Sequence, residues 1–251
     1  MSDTPESLQR DNERLQRELN QARAELADFT YSVSHDLRAS LRHVNAFVQI
    51  IKEDLAEQNH QSLVPHLDTV SQAAKQMGRQ IDGLMALSRL TQGELQLSAV
   101  DVGPLVSDVC AALTPSAGER ALDWQVASDF PALHCDATLL REVLTHLLSN
   151  ALKFTAKRAV SEIKITWQAT DNGQCVLTVA DNGVGFNPQY TAKLFHAFQR
   201  LHGAREFEGM GMGLALTRKI VERHGGTVSA VGALDAGCSV SVTLPLAQPA
   251  A

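Results

Sequence analysis

The sequence predicts an all-α helical hairpin followed by an α+β layer. Three observations carry that expectation. Leu8, Asn12, Leu15, Leu19, Ala22, Leu26, Phe29 and Val33 recur at steps of four or three, with mostly Arg, Glu and Gln between them. Leu67, Val70, Ala74, Met77, Ile81, Leu84 and Ser88 repeat the pattern after a polar break. From Leu97 onward, helical periods interleave with short runs of alternating, β-branched character.

The first seam is a heptad stripe and predicts a helix that needs a partner, favouring a parallel dimer; Asn12 on the seam favours one register and oligomer state. The stripe continues through Leu37, Leu41, Val44 and Val48. The consecutive steps of four after Val33 predict a stutter that locally unwinds the supercoil. His35 falls between Val33 and Leu37, so at ~100° per residue it faces away from the apolar side. Asp36 follows it directly. Glu57 to Ser62 read as a turn, and Pro65 fits the first turn of the second helix. A hairpin cannot bury both of its stripes, whereas two hairpins form a four-helix bundle. Gly93 and its polar surroundings read as a hinge.

Beyond the hinge, Leu105 to Leu113 has a helical period and Leu122 to Val126 reads as a short strand. Asp136 is placed to cap a helix over Asp136 to Phe154. Glu162 to Ala169 and Gln174 to Ala180 read as strands joined at the turn signal Asp171-Asn172-Gly173. Leu214 to His224 is helical and stops at Gly225-Gly226. Thr227 to Val231 and Cys238 to Leu244 close the layer as strands. The expected arrangement is helices on one face of a mixed sheet, not a Rossmann series.

Composition excludes several classes. The chain has 251 residues, 44% hydrophobic and 20% charged, enough for two domains with cores. A net charge of −6 without a long basic run argues against nucleic-acid binding. No apolar run approaches the ~20 residues needed to cross a bilayer, and no signal-peptide pattern opens the sequence. Cys110, Cys135, Cys175 and Cys238 are scattered without a C-x-x-C pair, which predicts reduced thiols in a cytoplasmic protein.

Three clusters in the second half have residue types suited to binding a nucleotide. Asn150, Lys153 and Phe154 share a helix face: an amide oxygen for a hard cation, an ammonium for phosphate, a ring for a base. Asp181-Asn182-Gly183-Val184-Gly185-Phe186 follows a strand, where an acid can accept from an amino group inside a closing glycine loop. Gly209-Met210-Gly211-Met212-Gly213-Leu214 runs into a helix, where backbone amides and the positive helix end suit phosphate.

In this order the segments resemble the boxes of the sensor histidine kinases of two-component systems, the phytochrome-like group most of all. SHDLRASL resembles the H box, LLSNALKFT the N box, DNGVGF the first glycine box, LFHAFQRLH the F box and GMGMGLALTRKIVERHGG the second glycine box. The resemblance implies a signalling coiled coil over residues 1–27, a dimerisation and phosphotransfer domain over 28–92, and a Bergerat-type ATP-binding sandwich over 97–248. It implies that His35 accepts phosphate through a ring nitrogen, oriented by Asp36 as general base. It further implies Asn150 for Mg2+, Lys153 for phosphates, Phe154 along the base and Asp181 for the adenine amino group. Gly183, Gly185, Gly209, Gly211, Gly213 and Leu214 would shape the ATP pocket, and Phe195 and Phe198 would anchor a lid over roughly residues 199–209. The implied partners are a second copy of the chain, the receiver domain of a response regulator, and an upstream sensor domain outside this sequence.

Four positions depart from the resembled pattern. Ser40 replaces a proline, which puts the customary kink in doubt. Ala39 stands where many members place Thr or Asn to position the water that dephosphorylates the regulator. His146 replaces an N-box asparagine, to contact the nucleotide or to pack, and Met210 replaces a small polar residue. The competing expectations are a nucleotide-binding dimeric scaffold without kinase activity and a Bergerat ATPase of the chaperone or mismatch-repair kind; the His35-Asp36 pair argues against both.

Overall fold

The computed structural model describes residues 5–56, 63–203 and 206–248, with fewer side chains described along the first helix. The expected turn at Glu57 to Ser62 lies outside the described residues, as do the seam side chains from Leu8 to Phe29. The chain divides into two compact units between Asp82 and Gly83.

In the first unit, Pro5–Ala56 form one helix of 52 residues, α1. It runs unbroken through Ala39 and Ser40. A serine keeps the backbone N–H that proline would remove, so nothing in the local sequence interrupts the ladder. The second helix, α2, spans Leu63–Gln92, with Pro65 in its first turn as expected. The division between the units falls inside this helix. On the stripes, Leu41 is 50% exposed, Leu55 51% and Leu67 54%. Large side chains at such regular positions are left half uncovered by a single hairpin, which is the condition that a second hairpin would relieve.

The second unit is a two-layer sandwich. Its sheet has the order β2-β4-β5-β7-β6, with β2 (Ala121–Val126) parallel to β4 (Val160–Ala169). The remaining neighbours, β5 (Gln174–Asp181), β7 (Cys238–Pro245) and β6 (Thr227–Gly232), pair antiparallel. In β4, Ser161, Ile163 and Ile165 are buried while Glu162 and Lys164 are exposed, so one face meets the core and the other meets water. Two four-residue strands, β1 (Ser98–Asp101) and β3 (Ala132–Cys135), form a small separate antiparallel pair that the sequence did not announce.

Helices α3 (Val102–Leu113), α4 (Ala137–Phe154) and α5 (Gly213–Arg223) form the second layer, with α4 against α3 and α5. Asp136 caps α4 as expected, accepting from the backbone N–H groups of Thr138 at 2.9 Å and Leu139 at 3.2 Å. Its own N–H donates to His224 Nε2 at 3.0 Å, while His224 Nδ1 meets Ile220 O at 2.7 Å. Serving both requires the neutral ring with its proton on Nδ1. The buried positions of α4 are Leu140, Val143, Leu144, Leu147, Leu148, Ala151 and Leu152, one stripe at helical spacing. Truncating a fully buried leucine such as Leu144 would cost ~2–5 kcal/mol. That stripe fixes α4 in rotation, and the polar face that remains looks into the site.

Candidate functional site

A cavity of about 370 Å³ opens in the second unit between the last turns of α4, the end of β5, the segment after Phe198 and the start of α5. Of the residues expected from the sequence, Asn150, Lys153, Phe154, Asp181, Gly185, Gly209, Gly211, Gly213 and Leu214 line it. They come from three separate stretches of chain, and the fold brings them around one space.

Asp181 ends β5 and lines the cavity together with Val179, Val240 and Leu216. Burial pushes its carboxyl up to about 6, against the opposing pull of backbone hydrogen bonds from Gly183 and Cys238. The Gly183 N–H donates to Asp181 Oδ1 at 2.8 Å. Above that pH the site holds a negative acceptor in an apolar wall, suited to an amino group entering edge-on.

Also in the lining, Lys153 Nζ donates to Asn150 Oδ1 at 3.1 Å and lies 4.4 Å from the centroid of the Phe154 ring. Burial lowers the Lys153 pKa, and the charge of Arg200 adds to the effect. A cation so placed gains from any anion that enters. Asn150 Oδ1 is a hard oxygen donor, and among the described residues no three His, Cys, Asp or Glu side chains gather as a ready-made cage. That fits Mg2+, which takes one or two protein oxygens and completes its shell with phosphates and water.

Two glycines are required by contact. Gly185 has φ +60°, and a Cβ there would stand 1.8 Å from Ala233 O. Gly211 has φ +72°, and its Cβ would meet Gln199 O at 2.4 Å. No other residue fits either position without moving backbone. Phe198, buried and itself at φ +62°, donates its N–H to Gly211 O at 3.0 Å, joining the start of the expected lid to the second glycine loop. Gly183, Phe195 and Phe198 do not line the cavity. Gly183 instead sits in the turn that holds Asp181, and Phe195 is half-buried beside it in sequence to Leu194, which does line the space.

Sequence reasoning missed the residues that hold the cavity in shape. Arg158 donates from Nε to Asn182 O at 2.7 Å and from Nη2 to Gly183 O and Asp235 O, both at 2.8 Å. One guanidinium thus ties the loop after β5 to the turn before β7. His202 Nε2 lies 2.8 Å from Gly185 O. Its ring stands 5.4 Å from those of Phe154 and Phe207, which are 5.0 Å apart. Arg200 Nη2 donates to Phe207 O at 2.5 Å. These contacts lay residues of the 199–209 segment along the cavity; residues 204 and 205 lie outside the described ones. Phe207, the one aromatic in a run of charges and glycines, was the visible signal; Arg158 had none.

His146 also lines the cavity, one turn before Asn150. Met210 lines it too. His35 and Asp36 lie within α1 in the first unit, and their side chains are outside the described ones. No described helix is long and apolar enough to cross a membrane.

Comparison with known proteins agrees with this geometry. Residues 135–248 match the family described as Histidine kinase-, DNA gyrase B-, and HSP90-like ATPase, and residues 25–93 match the His Kinase A (phospho-acceptor) domain. The phytochrome-like protein Cph1 of Synechocystis sp. is 32% identical over 214 residues, covering 85% of this chain and 28% of Cph1. The methanogenesis regulatory histidine kinase FilI of Methanothrix harundinacea is 31% identical over 231 residues, covering 91% of this chain and 25% of FilI. The chain therefore spans about a quarter of the length of these relatives. The solved structure of full-length ShkA in complex with AMPPNP shares 28% identity with a TM-score of 0.60, over 75% of this chain and 39% of ShkA. Histidine kinase ThkA, solved in complex with the response regulator protein TrrA, has a TM-score of 0.68 over 98% of this chain and 68% of that one; at 19% identity it shows likeness of fold alone. A phospho-acceptor hairpin followed by an ATPase sandwich, in relatives that join the same two parts, places the chain in a family: it belongs to the sensor histidine kinases.

Proposed function

We propose that this chain phosphorylates itself on His35 at the expense of ATP and passes the phosphoryl group to an aspartate of a response regulator. The observation that carries the reading is the pairing of a buried acceptor, Asp181, with Lys153 and Asn150 in the lining of one cavity, in a chain that also has a phospho-acceptor domain. Asp181 would take the adenine amino group, with Phe154 along the base. Lys153 and the amides at the start of α5 would hold the phosphates, and Asn150 the Mg2+. Phe195 and Phe198 would anchor the lid over roughly residues 199–209. ATP supplies the phosphoryl group: a ring nitrogen of His35 forms the new P–N bond as the bond to the ADP oxygen breaks. Asp36 holds the ring and takes the proton from its other nitrogen, so that the attacking nitrogen keeps its lone pair.

The half-exposed stripes of α1 and α2 support a homodimer through a four-helix bundle. The division into a coiled coil over 1–27, a phosphotransfer domain over 28–92 and an ATP-binding domain over 97–248 belongs to the same reading. So do a cytoplasmic location and an upstream sensor domain. ThkA in complex with TrrA supports a receiver domain as partner. The test is labelling from γ-labelled ATP. His35→Gln should bind ATP like the unaltered chain and take up no acid-labile label; label retained in that variant would move the acceptor elsewhere.

A further inference from the structure

The N-box histidine has an unusual environment for a residue that merely packs. His146 Nε2 is buried and makes no hydrogen bond, although Glu142 Oε1 stands 3.5 Å from it, one turn earlier on α4. The other ring nitrogen lies beside the start of α5: a Cβ built on Gly213, its first residue, would lie 3.4 Å from His146 Nδ1. Both His146 and Gly213 line the cavity, and so does Asn150, four residues on from His146. Glu142, His146 and Asn150 therefore form a row down one face of α4, carboxylate, imidazole and amide in turn.

Side chains at i and i+4 of a helix stand ~6 Å apart at Cβ, a spacing at which two of them can share one cation. A metal-bound histidine characteristically offers its second nitrogen to a carboxylate, which fixes the tautomer and the ring. Here Glu142 faces Nε2, which leaves Nδ1 free beside Gly213, at the helix start that suits phosphate oxygens. We propose that His146, through Nδ1 and oriented by Glu142, is a second protein ligand beside Asn150 for the divalent cation of this site, and that the site favours Mn2+ over Mg2+. Imidazole nitrogen is a poor partner for Mg2+, which prefers oxygen throughout, whereas Mn2+ accepts nitrogen and oxygen together. The assignment rests on the nucleotide reading above, because phosphates must supply the remaining oxygens.

The test uses the full chain with ADP and Mn2+, observed by electron spin-echo envelope modulation, beside calorimetric ADP titrations in Mn2+, in Mg2+ and without metal. The expected result is a ¹⁴N coupling of directly bound imidazole that His146→Asn removes. The Mn2+-to-Mg2+ affinity ratio should fall ~10- to 100-fold in that variant, and less steeply in Glu142→Gln. Metal-free ADP affinity should not change. A histidine that only contacts phosphate would weaken ADP binding alike under all three conditions and give no nitrogen coupling, which overturns the assignment. ADP binding to the unaltered chain with no ¹⁴N coupling overturns it as well and leaves the nucleotide reading standing. No ADP binding under any condition overturns both.

Discussion

Replacing Asp181 by Asn should make the protein more stable while it weakens nucleotide binding. The carboxyl is raised from 3.8 to about 6 by burial. A folded-state value above the unfolded one means that this group's contribution is fully present below pH 3.8 and is lost as pH rises through about 6. At pH 8 the folded chain thus carries a buried charge at a penalty of ~3 kcal/mol, from about two units at 1.36 kcal/mol each. Asparagine removes the charge, but its amide nitrogen cannot accept from both backbone N–H groups that Asp181 now serves, which returns ~1 kcal/mol. The net expectation is ~2 kcal/mol of added stability at pH 8, shrinking through pH 6 and absent by about pH 4. Urea unfolding followed by tryptophan fluorescence reads this directly, because Trp124 and Trp167 lie on β2 and β4 of the same sheet. ADP affinity should fall ~10- to 100-fold, the worth of one charge-assisted hydrogen bond. In the unaltered protein that affinity should itself drop below about pH 6, as Asp181 takes up its proton. A variant no more stable than the parent at pH 8, or a difference that does not vary with pH, would refute the reasoning.

Other perturbations test other parts of the molecule. Arg158→Ala strips the donors from Asn182 O, Gly183 O and Asp235 O, and should cost ~2–4 kcal/mol in urea unfolding; Arg158→Lys should not restore it, since one ammonium cannot reach three carbonyls in a fixed fork. Ala39 has no group to align a water, so the chain should dephosphorylate its regulator weakly, and Ala39→Thr should speed the decay of purified phospho-regulator in the presence of ADP. Deleting residues 1–27 should weaken dimerisation without abolishing it; a wholly monomeric product by light scattering would show that the bundle stripes of α1 and α2 do not suffice.

What the sequence makes legible is local, and what it hides is held by distant contacts. The helix from Ala137 to Phe154 shows its cap at Asp136 and its buried stripe at intervals of three and four, so both its extent and its facing can be read. The β4–β5 hairpin announces itself at Asn172-Gly173, and Gly173 has the positive φ that such a turn needs. Strands β1 and β3 escape because four residues cannot establish an alternation; only Leu133 and Cys135 in β3 and Val100 in β1 are buried. Asp181 was visible as an acid at a strand end, yet its raised pKa depends on walls contributed by α5 and β7. Arg158 was invisible for a similar reason. Its three acceptors lie 24, 25 and 77 residues away and are all main-chain oxygens, which any sequence would supply. The placing of His202 and Phe207 against Phe154 is likewise a property of the folded loop and not of any spacing.

The unbroken course of α1 makes it a drive shaft. Its 52 residues extend ~78 Å at 1.5 Å per residue, with no proline or glycine inside to absorb a twist. A turn imposed near Pro5 is therefore carried along the helix to position 35 with its angle largely intact. Length then acts as phase. One residue inserted between the two points would rotate the upstream end by ~100° relative to His35, whereas seven would return it to within ~20° of its starting angle. Spacing along this helix, more than the identity of its surface residues, sets the angle of the backbone at position 35 when the far end is held.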